Sequence, residues 1–104
     1  MNDRAHQATL RDLQAERAAG LARATERLEM ALAELARADA VLAAAPTPIA
    51  RELRREALAH AGERLWYLVI QREAMGFSRH EMLYEVLRVP AEVRAAMGPA
   101  RRTR

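Results

Sequence analysis

The side chains best placed for chemistry lie in the second half of the chain, where Gln71-Arg72-Glu73 follows Trp66 and is itself followed, after one turn, by His80. On a helix, Arg72 falls between Leu65, Leu68 and Met75, close to an apolar face. A guanidinium there needs a carboxylate or several carbonyl oxygens. Two arrangements would supply them: a pocket at a helix corner lined by Trp66, Arg72, Glu73 and His80, or a buried arginine–glutamate ion pair that fixes the corner. The second is the more ordinary way to satisfy a charge at a helix junction.

Other chemistries have less to stand on. His80-Glu81 begins like the zinc-protease motif, but the place of the second histidine is taken by Tyr84. His60 with Glu63 is a lone pair of ligands, and His6, His60 and His80 fall on three separate segments. The single serine, Ser78, opens Ser78-Arg79-His80-Glu81, which fits a capping box: the serine side chain reaches the Glu81 amide and the glutamate reaches back. Nucleophile signatures, glycine-rich phosphate loops and paired-aspartate clusters are missing from the sequence. With no cysteine, disulfides and thiolate metal sites are excluded, and a reducing compartment is the natural default. The expectation is a protein that is not an enzyme and uses no cofactor or metal.

Residues 70–88 have the outline of a helix-turn-helix: a helix, Gly76-Phe77, then a capped helix bearing Arg79, His80 and Arg88. The net charge of +3 points the same way, yet Arg101, Arg102 and Arg104 account for all of it. The body is neutral, with its charges interspersed rather than gathered in a stripe, and Glu81 and Glu85 on the would-be recognition helix would repel phosphates. A small DNA-binding regulator is therefore the alternative reading, with nucleic acid disfavoured as a partner. Residues 99–104 read as a basic flexible tail.

Helices must position all of these side chains, and the fold class read from the sequence is all-α: a long antiparallel helical hairpin followed by two short helices, forming one domain over 1–98. From 3 to 44 the chain has no proline and one glycine, which predicts a helix roughly 60 Å long. Leu21, Leu28, Leu35 and Leu42 recur every seven residues, with Ala24, Ala31, Leu32 and Ala38 between them, as in a helix packed along a partner at a shallow angle. Leu10 and Leu13 continue an apolar face upstream. Gly20 marks either a bend, a close backbone approach, or a tolerated surface glycine.

Pro46-Thr47-Pro48 ends this helix and forces an antiparallel neighbour over about 49–75, stopped by Gly76. That helix carries two apolar faces: Leu53, Ala57, Ala61, Leu68 and Met75 toward the leucine seam, and Leu58, Trp66, Val69 and Ile70 toward something else. Short helices follow at 79–87, burying Leu83, Val86 and Leu87, and at 91–97, with Pro90 at its head and Val93 and Met97 facing inward. In such a hairpin the first helix overhangs the second by about a dozen residues, or ~20 Å. Leu10 and Leu13 then need a cover, supplied by the short helices folding back or by a second copy of the chain.

The C-terminal half resembles a bacterial family catalogued as a domain of unknown function. The resemblance rests on Trp66-Tyr67-Leu68-Val69-Ile70-Gln71-Arg72-Glu73, then Gly76 and His80, then Val89-Pro90-Ala91-Glu92-Val93-Arg94 closing at Gly98. It covers about 65–98, while the first helix is similar only in being long and alanine-rich. It implies no activity, but it suggests that Trp66, Gln71, Arg72, Glu73 and His80 share one corner.

The leading expectation is a cytoplasmic, non-enzymatic protein acting through protein contacts, a homodimer or the partner of another protein. Its self-association or partner seam would run through Leu10, Leu13, Leu21, Leu28, Leu35 and Leu42. The N-terminus is polar, and the longest apolar block, residues 65–70, is far too short to span a bilayer, so no membrane partner is expected.

Overall fold

The computed structural model describes residues 2–99, in which α1 (Asp3–Ala44), α2 (Pro48–Ala74), α3 (Glu81–Val86) and α4 (Ala91–Ala95) follow one another. Of the expected basic tail at 99–104, all but Pro99 lies outside the described residues. The fold is all-α, a long antiparallel hairpin with two short helices laid on one side of it.

α1 runs unbroken for 42 residues, Gly20 included, and the Asn2 side chain caps it by accepting from the Arg4 amide at 3.0 Å. The turn that follows is built by its own residue types. Thr47 accepts from the Ala50 amide at 3.0 Å, and Pro48 occupies the first turn of α2, where its missing N–H costs nothing. Gly76 ends α2 in the left-handed region, at φ 95°. There the Gly76 amide donates to the Glu73 carbonyl and the Phe77 amide to the Arg72 carbonyl, both at 3.0 Å, which is a Schellman stop.

The seam is thin because alanines supply a third of it. Ala24, Leu28, Ala31 and Leu35 of α1 are buried against Ala61, Leu65 and Leu68 of α2, while Leu21 and Leu42 close its two ends half-buried. Four of the six seam leucines therefore pack within the chain. The second face of α2 buries Val69, and α4 lies against it with Val93 fully enclosed and Val89 beside it. At the margins of both faces Leu53 (52 %) and Ile70 (41 %) stay exposed.

The short helices differ from expectation in three ways. α3 begins at Glu81, two residues late, and Ser78 makes no capping box: His80 takes the cap position, with no side-chain bond there. The Arg79 carbonyl is held by the Arg72 guanidinium, and the first α3 hydrogen bond runs from the Tyr84 amide to the His80 carbonyl instead. Second, Val86 is 70 % exposed; α3 turns Leu83 and Leu87 toward the core and leaves Met82 and Val86 outward. Third, Pro90 caps α4 rather than opening it, its carbonyl accepting from the Val93 and Arg94 amides, and Met97 sits at the rim.

Neither short helix covers the first turns of α1. α4 packs on the middle of α2, and among the described residues α2 is the only helix whose backbone closely approaches α1. The result is a rod 65 Å long and 32 by 19 Å across. Residues 2–19 are exposed throughout, and Leu10 and Leu13 are 46 % and 44 % accessible.

Candidate functional site

Three of the five residues expected at the corner meet there, in an arrangement other than an arginine–glutamate pair. Arg72 Nε donates to His80 Nδ1 at 3.2 Å, and an Arg72 Nη donates to the Arg79 carbonyl at 3.1 Å. The Phe77 ring covers the same guanidinium, with 4.8 Å from its centre to the arginine carbon. This follows from the helix stop: Arg72 and Phe77 are the two residues that a Schellman turn brings into contact.

Because Nδ1 of His80 accepts, its proton must sit on Nε2. That nitrogen is buried, makes no hydrogen bond, and lies 3.6 Å from Glu73 Oε2. Glu73 thus faces the histidine rather than Arg72. The ring ties the end of α2 to the start of α3, since the backbone of the same residue receives the first α3 hydrogen bond.

Trp66 and Gln71 are placed elsewhere. Trp66 is two turns before Glu73 and tilts against Tyr67, their ring centres 5.2 Å apart. Gln71 is exposed on a different side of α2, where it lines a cleft against α1. Gln71 and Arg72 are consecutive, and about 100° of rotation sends the two side chains to different surfaces.

That cleft escaped the sequence reading. Ala24 and Arg27 of α1 and Glu63, Arg64, Tyr67 and Gln71 of α2 enclose about 380 Å³. Its signal was in the sequence as Arg64, Tyr67 and Gln71 at helical spacing, but only the antiparallel register shows that Arg27 stands across from them. A second cleft, about 410 Å³, is lined by Glu81, Tyr84, Glu85, Val89 and Arg94, and the Arg94 guanidinium lies over the Tyr84 ring at 5.4 Å. Arg72, Glu73 and His80 line neither of the two.

The helix-turn-helix outline is reduced by the geometry of its second member. α3 is six residues long and carries Glu81 and Glu85, short of the two or more turns with which a recognition helix lies along a groove. Among the described residues, no group of three or more histidine, aspartate or glutamate side chains is placed to hold a metal ion, and no helix is long and apolar enough to cross a membrane.

Residues 2–104 match a family model described as a family of unknown function, DUF6665. The chain belongs to this family. The DUF6665 match takes in α1 and its bare first turns as well as the 65–98 region on which the sequence resemblance rested. No curated protein and no solved structure matches the chain. In this DUF6665 member the closing Pro90-Ala91-Glu92-Val93 stretch is structural: Pro90 caps α4, Glu92 is held by Arg54, and Val93 fills the core.

Proposed function

We propose that this DUF6665 protein is a non-catalytic helical protein of the cytoplasm that acts through protein contacts, and that a second copy covers the first turns of its long helix. The observation that carries this reading is the mismatch in helix length. α2 ends at Ala74, near the level of Gly20, while α1 continues outward with Leu10 and Leu13 half-exposed and, among the described residues, no element over them.

The angular positions support the same reading. At 100° per residue Leu10 and Leu13 fall within about 60° of Leu28, so the stripe that packs on α2 goes on past the end of α2. A helix approaching that stripe would stack end to end with α2 along α1. A two-fold dimer places one copy's overhang against the other's, each supplying what the other lacks.

The affinity should be modest. Gln7, Gln14 and Arg17 share the stripe and add little apolar area. The dimer is therefore expected to dissociate on dilution.

Light scattering after size-exclusion chromatography, across a dilution series at physiological salt, tests this directly. The expected result is a mass approaching twice 11.7 kDa at high concentration, falling toward the monomer on dilution. Leu10→Glu with Leu13→Glu should be monomeric throughout with unchanged helicity. A monomer at every concentration would overturn the reading.

A further inference from the structure

We propose that the cleft between α1 and α2 is a binding site for a small ligand with an anionic head, a carboxylate or a phosphoryl group, gripped between Arg27 and Arg64. The inference starts from how Arg64 is held. His60 Nδ1 faces Glu34 Oε2 across the hairpin at 3.5 Å, and His60 Nε2 accepts from Arg64 Nε at 3.2 Å. This chain, running from α1 through the imidazole, anchors Arg64 by the one nitrogen nearest its stem. Arg64 lines the cleft, and among the described residues no carboxylate engages its two Nη groups.

Arg27 reaches the same cleft from the facing helix, likewise with no carboxylate partner among the described residues. Both arginines thus line one cleft, and guanidinium forks match the oxygen pairs of carboxylates and phosphates. The floor is Ala24, a seam position where a small side chain leaves room; a leucine there would fill much of the volume. Tyr67 and Gln71 add a neutral hydroxyl and an amide for the remaining oxygens.

Glu63 limits the ligand. As the one carboxylate in the lining, it leaves the cleft with a net charge of about +1 and offers an acceptor that would repel a second anionic group. The fit is therefore to a ligand with a single anionic head, and a hydroxyl or amine beside that head would find its acceptor in Glu63. At about 380 Å³ the cleft lies at the small end of ligand sites and suits a small metabolite rather than a peptide.

The test is an NMR titration of the full-length ¹⁵N-labelled chain at constant ionic strength, first with inorganic phosphate and then with sodium acetate. Saturable shifts confined to residues around Arg27, Arg64, Tyr67 and Gln71 are expected, and the probe that saturates names the head group. Arg27→Gln and Arg64→Gln should each weaken the binding about tenfold or more, as loss of a charge-assisted hydrogen bond does. Arg55→Gln, which alters an exposed arginine paired with Glu52 on α2, should leave it unchanged. Shifts that grow without saturating for both probes, or that persist equally in Arg27→Gln and Arg64→Gln with helicity intact, would overturn the proposal.

Discussion

Arg54 grips Glu92 with both of its terminal nitrogens, at 2.7 and 2.6 Å, while its Nε donates to Asp39 Oδ1 at 2.7 Å. One guanidinium on α2 thus joins α1 to α4, over 38 residues of sequence in the second case. The parallel pair of bonds fixes angle as well as distance, which a lysine could not do. α4 is five residues long and could not persist as a helix alone, so its position depends on this clamp and on Val93 beneath it.

Acid should loosen the clamp. The hydrogen bonds from Arg54 hold the Glu92 carboxyl below its ordinary value of 4.5, and those from Glu92 and Asp39 push the arginine up. A carboxylate whose folded value is depressed contributes stability above its unfolded value, and that contribution is lost as pH falls through the folded value. Thermal melts of the native chain and Glu92→Gln should therefore differ near neutral pH, with the native chain the more stable, and converge below pH 4.5. Because half of the glutamate side chain faces solvent, added salt should shrink the difference. A gap of equal size at all pH values would show that the charge of Glu92 is not what holds α4.

Backbone geometry separates glycines that look alike in the sequence. A β-carbon on Gly62 would fall 2.7 Å from the Ala96 carbonyl carbon and closer still to its oxygen, because the end of α4 rests on α2 at that point. On Gly20 the nearest obstacle is the flexible end of Arg23, at 3.8 Å. Gly62→Ala should cost several kcal/mol or detach α4, whereas Gly20→Ala should stabilise by up to about 1 kcal/mol, the difference in helix propensity. Arg88 presents the converse. It stands at φ 53° where α3 ends, with the Val89 amide closing on the Tyr84 carbonyl at 2.9 Å, a place that glycine fills without strain. Arg88→Gly should gain roughly 1 kcal/mol, and urea denaturation of the three variants measures all three effects.

The contrast shows where a sequence can be read and where it cannot. The hairpin was legible because its signals are local or strictly periodic: the leucine heptads, Pro46-Thr47-Pro48 as a break, Gly76 as a stop. Gly20 drew attention because it interrupts a pattern, yet it packs against no backbone. Gly62 sits unremarkably between Ala61 and Glu63, and its importance comes from a residue 34 positions away. Ser78 is a similar case: the local motif fits a cap, but the helix starts later, beyond an Arg79 carbonyl that Arg72 holds from seven residues back. The candidate site divides likewise. Arg72 and His80 could be grouped from their spacing about a turn, while Arg27 and Arg64 required the register of two helices.

At the corner the same reasoning gives a graded prediction. His80 is only 10 % exposed in its side chain, and its Nδ1 is the one side-chain acceptor that Arg72 has. His80→Ala removes that acceptor and opens a void beside a part-buried guanidinium, which should cost about 1–3 kcal/mol. His80→Gln restores an acceptor oxygen on a chain of similar reach and should recover part of the loss. Arg72→Met keeps the apolar stem against the seam and removes the charge altogether, leaving no guanidinium to satisfy; replacing a partly buried charge by an apolar chain can be close to neutral. If His80→Ala is markedly destabilised while Arg72→Met is not, the corner is a lock whose polar members satisfy one another. If neither substitution shifts the urea midpoint, the contact between Arg72 and His80 contributes no stability, and its retention has to be sought in what the corner binds.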